Sequence, residues 1–235
     1  MNSNTAQALS RAAVELAKAG IDNSRLEAEY ILAEVQGIGR NELLAGLSGE
    51  LSPEVREVYF HNIEKRATRI PFGYIFKKAN FMGLDLTVNE ETLIPRPETE
   101  ILTEEAIKYL KTKTGNLNVL DIGTGSGNIA TVIAKLTGAR VTAADISEET
   151  LKVASQNARA HNVDDRIKFI KSDLYKNLTA DFLKKFDLII SNPPYVNLKE
   201  YAKIQPEVKK EPQLALVAGD GGLNIIKKIL LRAPN

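Results

Sequence analysis

The chain has 235 residues, 43% of them apolar and 26% charged, which is enough apolar material for one large or two small domains with a packed core. Its 31 Lys and Arg balance 30 Asp and Glu, and the resulting net charge of +1 argues against a protein that grips nucleic acid chiefly through phosphates. Cysteine is absent, which excludes disulfides, thiolate nucleophiles, iron–sulfur clusters and cysteine-bound zinc.

The first seventy residues contain no strand-like run and hold 8 basic and 10 acidic residues. Met1 to Gly20 is amphipathic, with Ala8, Ala12, Leu16 and Ala19 at helical spacing. It lacks the apolar block of a signal peptide, and no run of about 18 apolar residues occurs anywhere, so no membrane contact and a soluble cytoplasmic protein are expected. Leu26, Tyr30, Ile31 and Val35 predict a second helix, with Asp22 and Asn23 as cap candidates. Ser52 and Pro53 open a third, with Val55, Tyr59, Ile63 and Ala67 facing inward. Residues 1–70 thus read as a helical bundle of a size that commonly docks a partner.

The period changes after Pro71. Tyr74 to Phe76 and Asn80 to Val88 read as extended, broken at Met82–Gly83, so residues 71–92 are expected to form a hairpin linker. An extended, proline-fixed loop follows at Leu93 to Glu100, then a helix to Lys111 with Leu102, Ala106, Tyr109 and Leu110 inward. From Asn118 strands and helices alternate. Strands are expected at Val119–Asp121, Val141–Asp145, Ile167–Ile170 and Phe186–Ile190. Helices carry Ile129, Val132, Ile133 and Leu136, then Leu151, Ala154 and Ala158, and finally Leu223, Ile226 and Leu230. This alternation predicts an α/β fold, a parallel sheet with helices on both faces.

Two motifs carry chemistry. Asp121-Ile122-Gly123-Thr124-Gly125-Ser126-Gly127 lies between a strand and a helix. Its glycines let the backbone turn sharply beside a ligand, and the helix N-terminus behind offers free N–H groups. The spacing departs from the dinucleotide fingerprint, because Asn128 follows the third glycine. Asp145 ends the second strand, where a carboxylate can take both ribose hydroxyls of a nucleoside. Asp173 could accept from an exocyclic amine, and Leu174 could pack on its ring.

Asn192-Pro193-Pro194-Tyr195 follows the fourth strand, so it faces the same crevice at the carboxyl ends of the strands. Two prolines stiffen the loop and remove two donors. The Asn192 side-chain carbonyl and the Pro193 main-chain carbonyl could both accept from one planar NH₂ group, with Tyr195 packing on its face. Such a nitrogen is a poor nucleophile, and two fixed acceptors orient it while positive charge develops.

These residues resemble the first motif of the class I S-adenosylmethionine-dependent methyltransferases and, at Asn192 to Tyr195, those acting on planar amines. With Ile94-Pro95-Arg96-Pro97-Glu98-Thr99-Glu100, Glu211-Pro212 and Ala215 to Gly219, the chain is most similar to the glutamine-N5 methyltransferases of peptide-chain release factors, the HemK/PrmC family. The resemblance implies that Gly123, Thr124, Gly125, Ser126, Gly127, Asp145, Asp173, Leu174 and Asn192 contact S-adenosylmethionine. It implies that Asn192, Pro193, Pro194 and Tyr195 hold the substrate glutamine, with Asn192, Pro193 and Tyr195 catalytic. It also implies that residues 1–70 dock the release factor and that residues 93–235 form a Rossmann-like methyltransferase domain.

One departure is Leu174, where relatives usually carry an aromatic residue, so weaker stacking on adenine is expected. A second is the sheet. Four strands are legible, expected in the order 3-2-1-4, whereas the family sheet has more, so the resemblance implies that C-terminal strands are missing. The alternatives are an amino-methyltransferase of DNA or ribosomal RNA bases and a non-catalytic binder of cofactor or partner. The short lysine pairs at 77–78, 184–185 and 209–210 do not make the basic track that nucleic acid requires. His61 and His161 have no metal-ligand spacing, so no metal is expected.

Overall fold

The first elements are helices, as the apolar spacing predicts. In the computed structural model, which describes residues 4–219 and 221–233, α1 spans Thr5–Lys18. Met1 to Ser3 of the predicted amphipathic pattern lie outside the described residues. A capping box starts the helix: Asn4 Oδ1 accepts from the Gln7 N–H at 2.9 Å, and Gln7 Oε1 accepts from the Asn4 N–H. Its buried stripe is Ala8, Leu9, Ala12 and Leu16.

Helix α2 spans Ser24–Gln36 and buries Ala28, Ile31 and Leu32, whereas Leu26 and Tyr30, expected inside, are exposed. The inner face is instead completed by Glu29, neutralised by Arg25 at 2.7 Å and Arg40 at 2.8 Å, and by the Ala28 carbonyl, which accepts from the buried Tyr59 hydroxyl. Asn23, one of the two predicted cap candidates, occupies the N-cap with φ 53°, but its side chain makes no cap hydrogen bond. A short α3, Arg40–Ala45, was not foreseen. Helix α4, Pro53–Ala67, starts as predicted, with Ser52 Oγ accepting from the Val55 N–H. Tyr74 to Phe76, expected to be extended, are helical and belong to α5, Phe72–Phe76. Pro71 begins that turn: its carbonyl accepts from Tyr74 and Ile75, and Phe72 and Phe76 rings meet at 4.7 Å, one turn apart.

The chain divides into two compact units, Met1–Phe76 and Lys77–Asn235, so the hairpin belongs to the second unit instead of standing as a separate linker. Strands β1 (Lys78–Phe81) and β2 (Leu84–Thr87) pair antiparallel around Met82 and Gly83, whose φ values of 49° and 79° make a two-residue turn. Helix α6 spans Pro97–Lys111 and buries Thr99, Thr103, Ala106, Ile107 and Leu110. Leu102 and Tyr109, expected inward, are exposed. Buried threonine is tolerated because the Thr103 hydroxyl donates to the Thr99 carbonyl at 2.8 Å.

Then follow β3 (Asn118–Ile122), α7 (Asn128–Thr137), β4 (Arg140–Asp145), α8 (Glu148–Ala160) and β5 (Ile167–Lys171). They continue with α9 (Ala180–Leu183), β6 (Leu188–Ser191), α10 (Leu198–Tyr201), α11 (Gln213–Leu216) and α12 (Asn224–Arg232). The four strands form one parallel sheet in the order β5-β4-β3-β6, the predicted 3-2-1-4 arrangement. Consecutive residues of β3 feed opposite layers. Val119 joins Ile107, Leu110, Ile129, Ile133 and Val141 on one face, and Leu120 joins Ala144, Tyr175, Leu183 and Ile229 on the other. The α7 stripe is buried as expected at Ile129, Val132 and Ile133, with only Leu136 exposed, whereas α12 buries Ile229 while Leu223 and Leu230 point out.

Candidate active site

The carboxyl ends of β3, β4 and β6 open on a cavity of about 400 Å³. The Gly-rich loop forms one wall. Gly123 and Thr124 each donate a backbone N–H to the Ala144 carbonyl, which ties the loop to β4. A Cβ built on Gly123 or Gly125 would meet nothing within 4 Å, so both front open space. Gly127 differs: a Cβ there would lie 2.9 Å from the Ala154 Cβ, so this glycine serves the close approach of α7 and α8. It does not line the cavity, whereas Gly123, Thr124, Gly125 and Ser126 do.

Asp145 closes the loop. Its Oδ2 accepts from the Gly125 N–H and its Oδ1 from the Ser147 N–H, both at 3.0 Å. Each oxygen keeps a lone pair for a further donor. Burial pushes its carboxyl above the ordinary carboxylate range. Asp121 lies beneath, fully buried. Its Oδ2 accepts from the Thr124 hydroxyl at 2.6 Å, and its Oδ1 has no partner. Burial pushes its carboxyl up to about 7, and the Asp145 charge adds to the rise. Asp173 and Leu174 line the cavity further round. Leu174 adopts φ 52°, held by its carbonyl accepting from the Ser172 hydroxyl at 2.8 Å.

Asn192 and Pro194 line the same cavity, while Pro193 and Tyr195 are not among its lining residues, and Tyr195 is 60% exposed. The loop is anchored at both ends. Ser191 Oγ donates to the Ile122 carbonyl at 2.6 Å, and Val196 pairs with Val217 as a parallel bridge. Asn192 Nδ2 donates to Thr99 Oγ1 at 2.9 Å, which leaves Oδ1 as the amide's free end.

Sequence reasoning missed the support of this loop. Thr99 and Arg96 are cavity residues, and Glu211 lies almost fully buried behind them. The Glu211 carboxylate accepts from the Ile94 N–H at 3.0 Å and pairs with the Arg96 guanidinium. The Pro-Arg-Pro-Glu-Thr-Glu and Glu-Pro runs were the available signal. His161 Nε2 meets the Asp85 carbonyl at 2.8 Å, a structural contact, and His61 is exposed. The lysine pairs have local partners: Lys78 with Asp85, Lys184 with Asp181, and Lys209 with the Ala202 carbonyl.

The parallel sheet order, the Gly-rich turn after β3 and the acid after β4 define a class I S-adenosylmethionine-dependent methyltransferase. The family described as methyltransferase small domain matches residues 99–233, and the PrmC N-terminal domain matches residues 7–76. The release factor glutamine methyltransferase of Chlorobaculum tepidum is 41% identical over 222 residues, covering 92% of this chain and 75% of that protein. The chain belongs to the family of release factor glutamine methyltransferases. The ribosomal protein uL3 glutamine methyltransferase of Francisella tularensis is 38% identical over 190 residues, covering 80% of this chain and 60% of its own. Among solved structures, the hMettl16 catalytic domain in complex with the MAT2A 3′UTR hairpin 6 matches with a TM-score of 0.50 and 26% identity. That match covers 64% of this chain and 56% of the other. Among the described residues, no helix is long and apolar enough to cross a membrane.

Proposed function

We propose that the chain transfers a methyl group from S-adenosylmethionine to the side-chain amide nitrogen of a glutamine in peptide-chain release factors. The observation that carries this reading is that Asn192 and Pro194 line the same cavity as Gly123, Gly125 and Asp145. The residues present suit the cofactor. Gly123 and Gly125 leave open space where side chains would intrude, and Asp145 keeps a lone pair on each oxygen for the ribose hydroxyls. Asp173 can accept from the adenine amine, and Leu174 offers an apolar edge to its ring. When bound, the cofactor supplies a methyl group already activated by its sulfonium.

The chain's own work is alignment. The free Oδ1 of Asn192 and the main-chain carbonyl of Pro193 are two acceptors for one planar NH₂ group. Together they orient the nitrogen and favour the positive charge that develops there. Pre-alignment of two reactants can supply roughly 7–11 kcal/mol of the barrier. No strong base is needed, since the proton can leave the nitrogen once the new bond has formed. Tyr195, exposed at the end of the same loop, would pack on a flat amide brought to it.

The helical unit docks the release factor, and the second unit, which includes the hairpin, carries out the transfer. The net charge of +1 suits a protein substrate better than nucleic acid, and the reaction belongs in the cytoplasm, where release factors act. The name of the Francisella tularensis relative favours one second reading, a glutamine of ribosomal protein uL3. The test is transfer of labelled methyl to a release factor, its Gln→Ala variant, uL3, ribosomal RNA and DNA. Label on the release factor alone, lost with its glutamine, is expected. Label on RNA or DNA, or none at all, would sink the proposal. Asn192→Ala should abolish transfer while cofactor affinity stays within about tenfold.

A further inference from the structure

We propose that Thr99 is a positioning residue for the reaction: it holds the Asn192 amide by its nitrogen, so that the oxygen faces the substrate. The inference rests on the reading of Asn192 as an acceptor for the substrate NH₂ group. An asparagine amide is nearly symmetrical in shape but opposite in hydrogen bonding at its two ends. Turned by half a rotation, Asn192 would present a donor to the substrate's own donors, and the contact would become repulsive. A buried partner that takes the nitrogen is therefore required, and Thr99 Oγ1 accepts from Asn192 Nδ2 at 2.9 Å, across 93 residues of sequence. A hydroxyl also donates, so it selects this orientation when its own hydrogen is turned away from Asn192.

Thr99 is well fixed for that task. It is buried on the first turn of α6, its N–H donates to the Arg96 carbonyl at 3.0 Å, and its carbonyl accepts from the Thr103 hydroxyl. The loop before it is held by Glu211 through Ile94 and Arg96. The hydroxyl therefore stands on a rigid element. The bond also has an electronic consequence: donation from Nδ2 polarises the amide and makes Oδ1 a better acceptor as positive charge grows on the substrate nitrogen. This accounts for a threonine in the Pro-Arg-Pro-Glu-Thr-Glu run, which periodicity alone would fill with an apolar residue.

Thr99→Val keeps the shape and removes the acceptor, Thr99→Ser keeps the acceptor, and Thr99→Ala serves if the valine variant does not fold. Transfer to a release factor is measured under saturating cofactor, with cofactor affinity and melting temperature beside it. We expect kcat of the valine or alanine variant to fall about ten- to a hundredfold. Cofactor affinity should stay within about threefold, and serine should restore kcat to a similar margin. If Asn192→Ala abolishes transfer while the Thr99 variants turn over at the wild-type rate, the proposal falls and the reading of Asn192 stands. If Asn192→Ala itself remains active, that reading falls and takes this one with it. Equal losses of cofactor affinity and melting temperature that serine fails to rescue would assign Thr99 a purely structural role and overturn the proposal.

Discussion

Glu211 accepts the Ile94 N–H at 3.0 Å although 117 residues separate them, and the same carboxylate pairs with Arg96. Removing it strands a charge and a backbone donor together. Glu211→Ala is therefore expected to destabilise the chain by about 2–4 kcal/mol, at or below the ~3–5 kcal/mol of a fully buried pair. The discount follows from the Arg96 side chain being 30% exposed. Urea unfolding measures this. A loss under about 0.5 kcal/mol would mean that the pair contributes no more than a surface contact.

The glycines of the loop should separate into two kinds. Gly127→Ala meets both φ 76° and a contact of 2.9 Å with Ala154, and should cost about 1–3 kcal/mol of stability. Gly125→Ala meets φ 57° and open space. It should cost only about 1 kcal/mol in stability but weaken cofactor binding, because its methyl enters the cavity. Melting curves and titration with S-adenosylhomocysteine distinguish them, and undiminished binding by the Gly125 variant would refute the assignment.

Asp121 makes stability depend on pH. Its folded carboxyl titrates near 7, against an ordinary value of 3.8. The folded state therefore holds this proton more tightly than the unfolded chain. The contribution is fully present below about 3.8 and is lost as pH rises through about 7. Asp121→Asn should thus gain on the wild type across that interval. Denaturation midpoints between pH 5 and 8 test this, and a constant difference between the two proteins would exclude it.

Asp145 and Leu174 should act chiefly on the cofactor. Asp145→Asn sets an amide N–H against a backbone donor and removes a charged acceptor. It should cost about 1.5–3 kcal/mol of cofactor binding. Leu174→Trp should tighten binding, because an indole covers more of an adenine than leucine does. Calorimetric titration reads both, and no tightening by the tryptophan variant would remove Leu174 from the adenine wall.

The sheet was legible because its strands are short apolar runs whose alternation with helices admits few topologies. The faces of the helices were less so. Leu26, Tyr30, Leu102, Tyr109 and Leu230 are apolar yet exposed, while Thr99, Thr103 and Glu29 are polar yet buried. Each of the latter is satisfied by a partner that hydrophobic spacing does not encode: Asn192, the Thr99 carbonyl, and Arg25 with Arg40. The same holds for the cavity. Gly123 to Ser126 and Asn192 to Tyr195 are contiguous and can be read as motifs. The bonds from Asn192 to Thr99 and from Ile94 to Glu211 join distant segments, and only the folded chain brings them together.

The buried Asn157 of α8 reaches β2 with one amide group: its Oδ1 accepts from the Thr87 N–H at 2.7 Å and its Nδ2 donates to the Thr87 carbonyl at 2.9 Å. That same nitrogen donates to the Ser126 carbonyl at 2.8 Å. The side chain thus imitates a peptide unit of a neighbouring strand. At Thr87 the outer rim of the hairpin is closed to any incoming strand from another molecule, so this short ribbon cannot seed edge-to-edge assembly at that point. Through Ser126 the same amide joins the ribbon to the glycine turn, and the two should exchange their amide hydrogens as a single cooperative group.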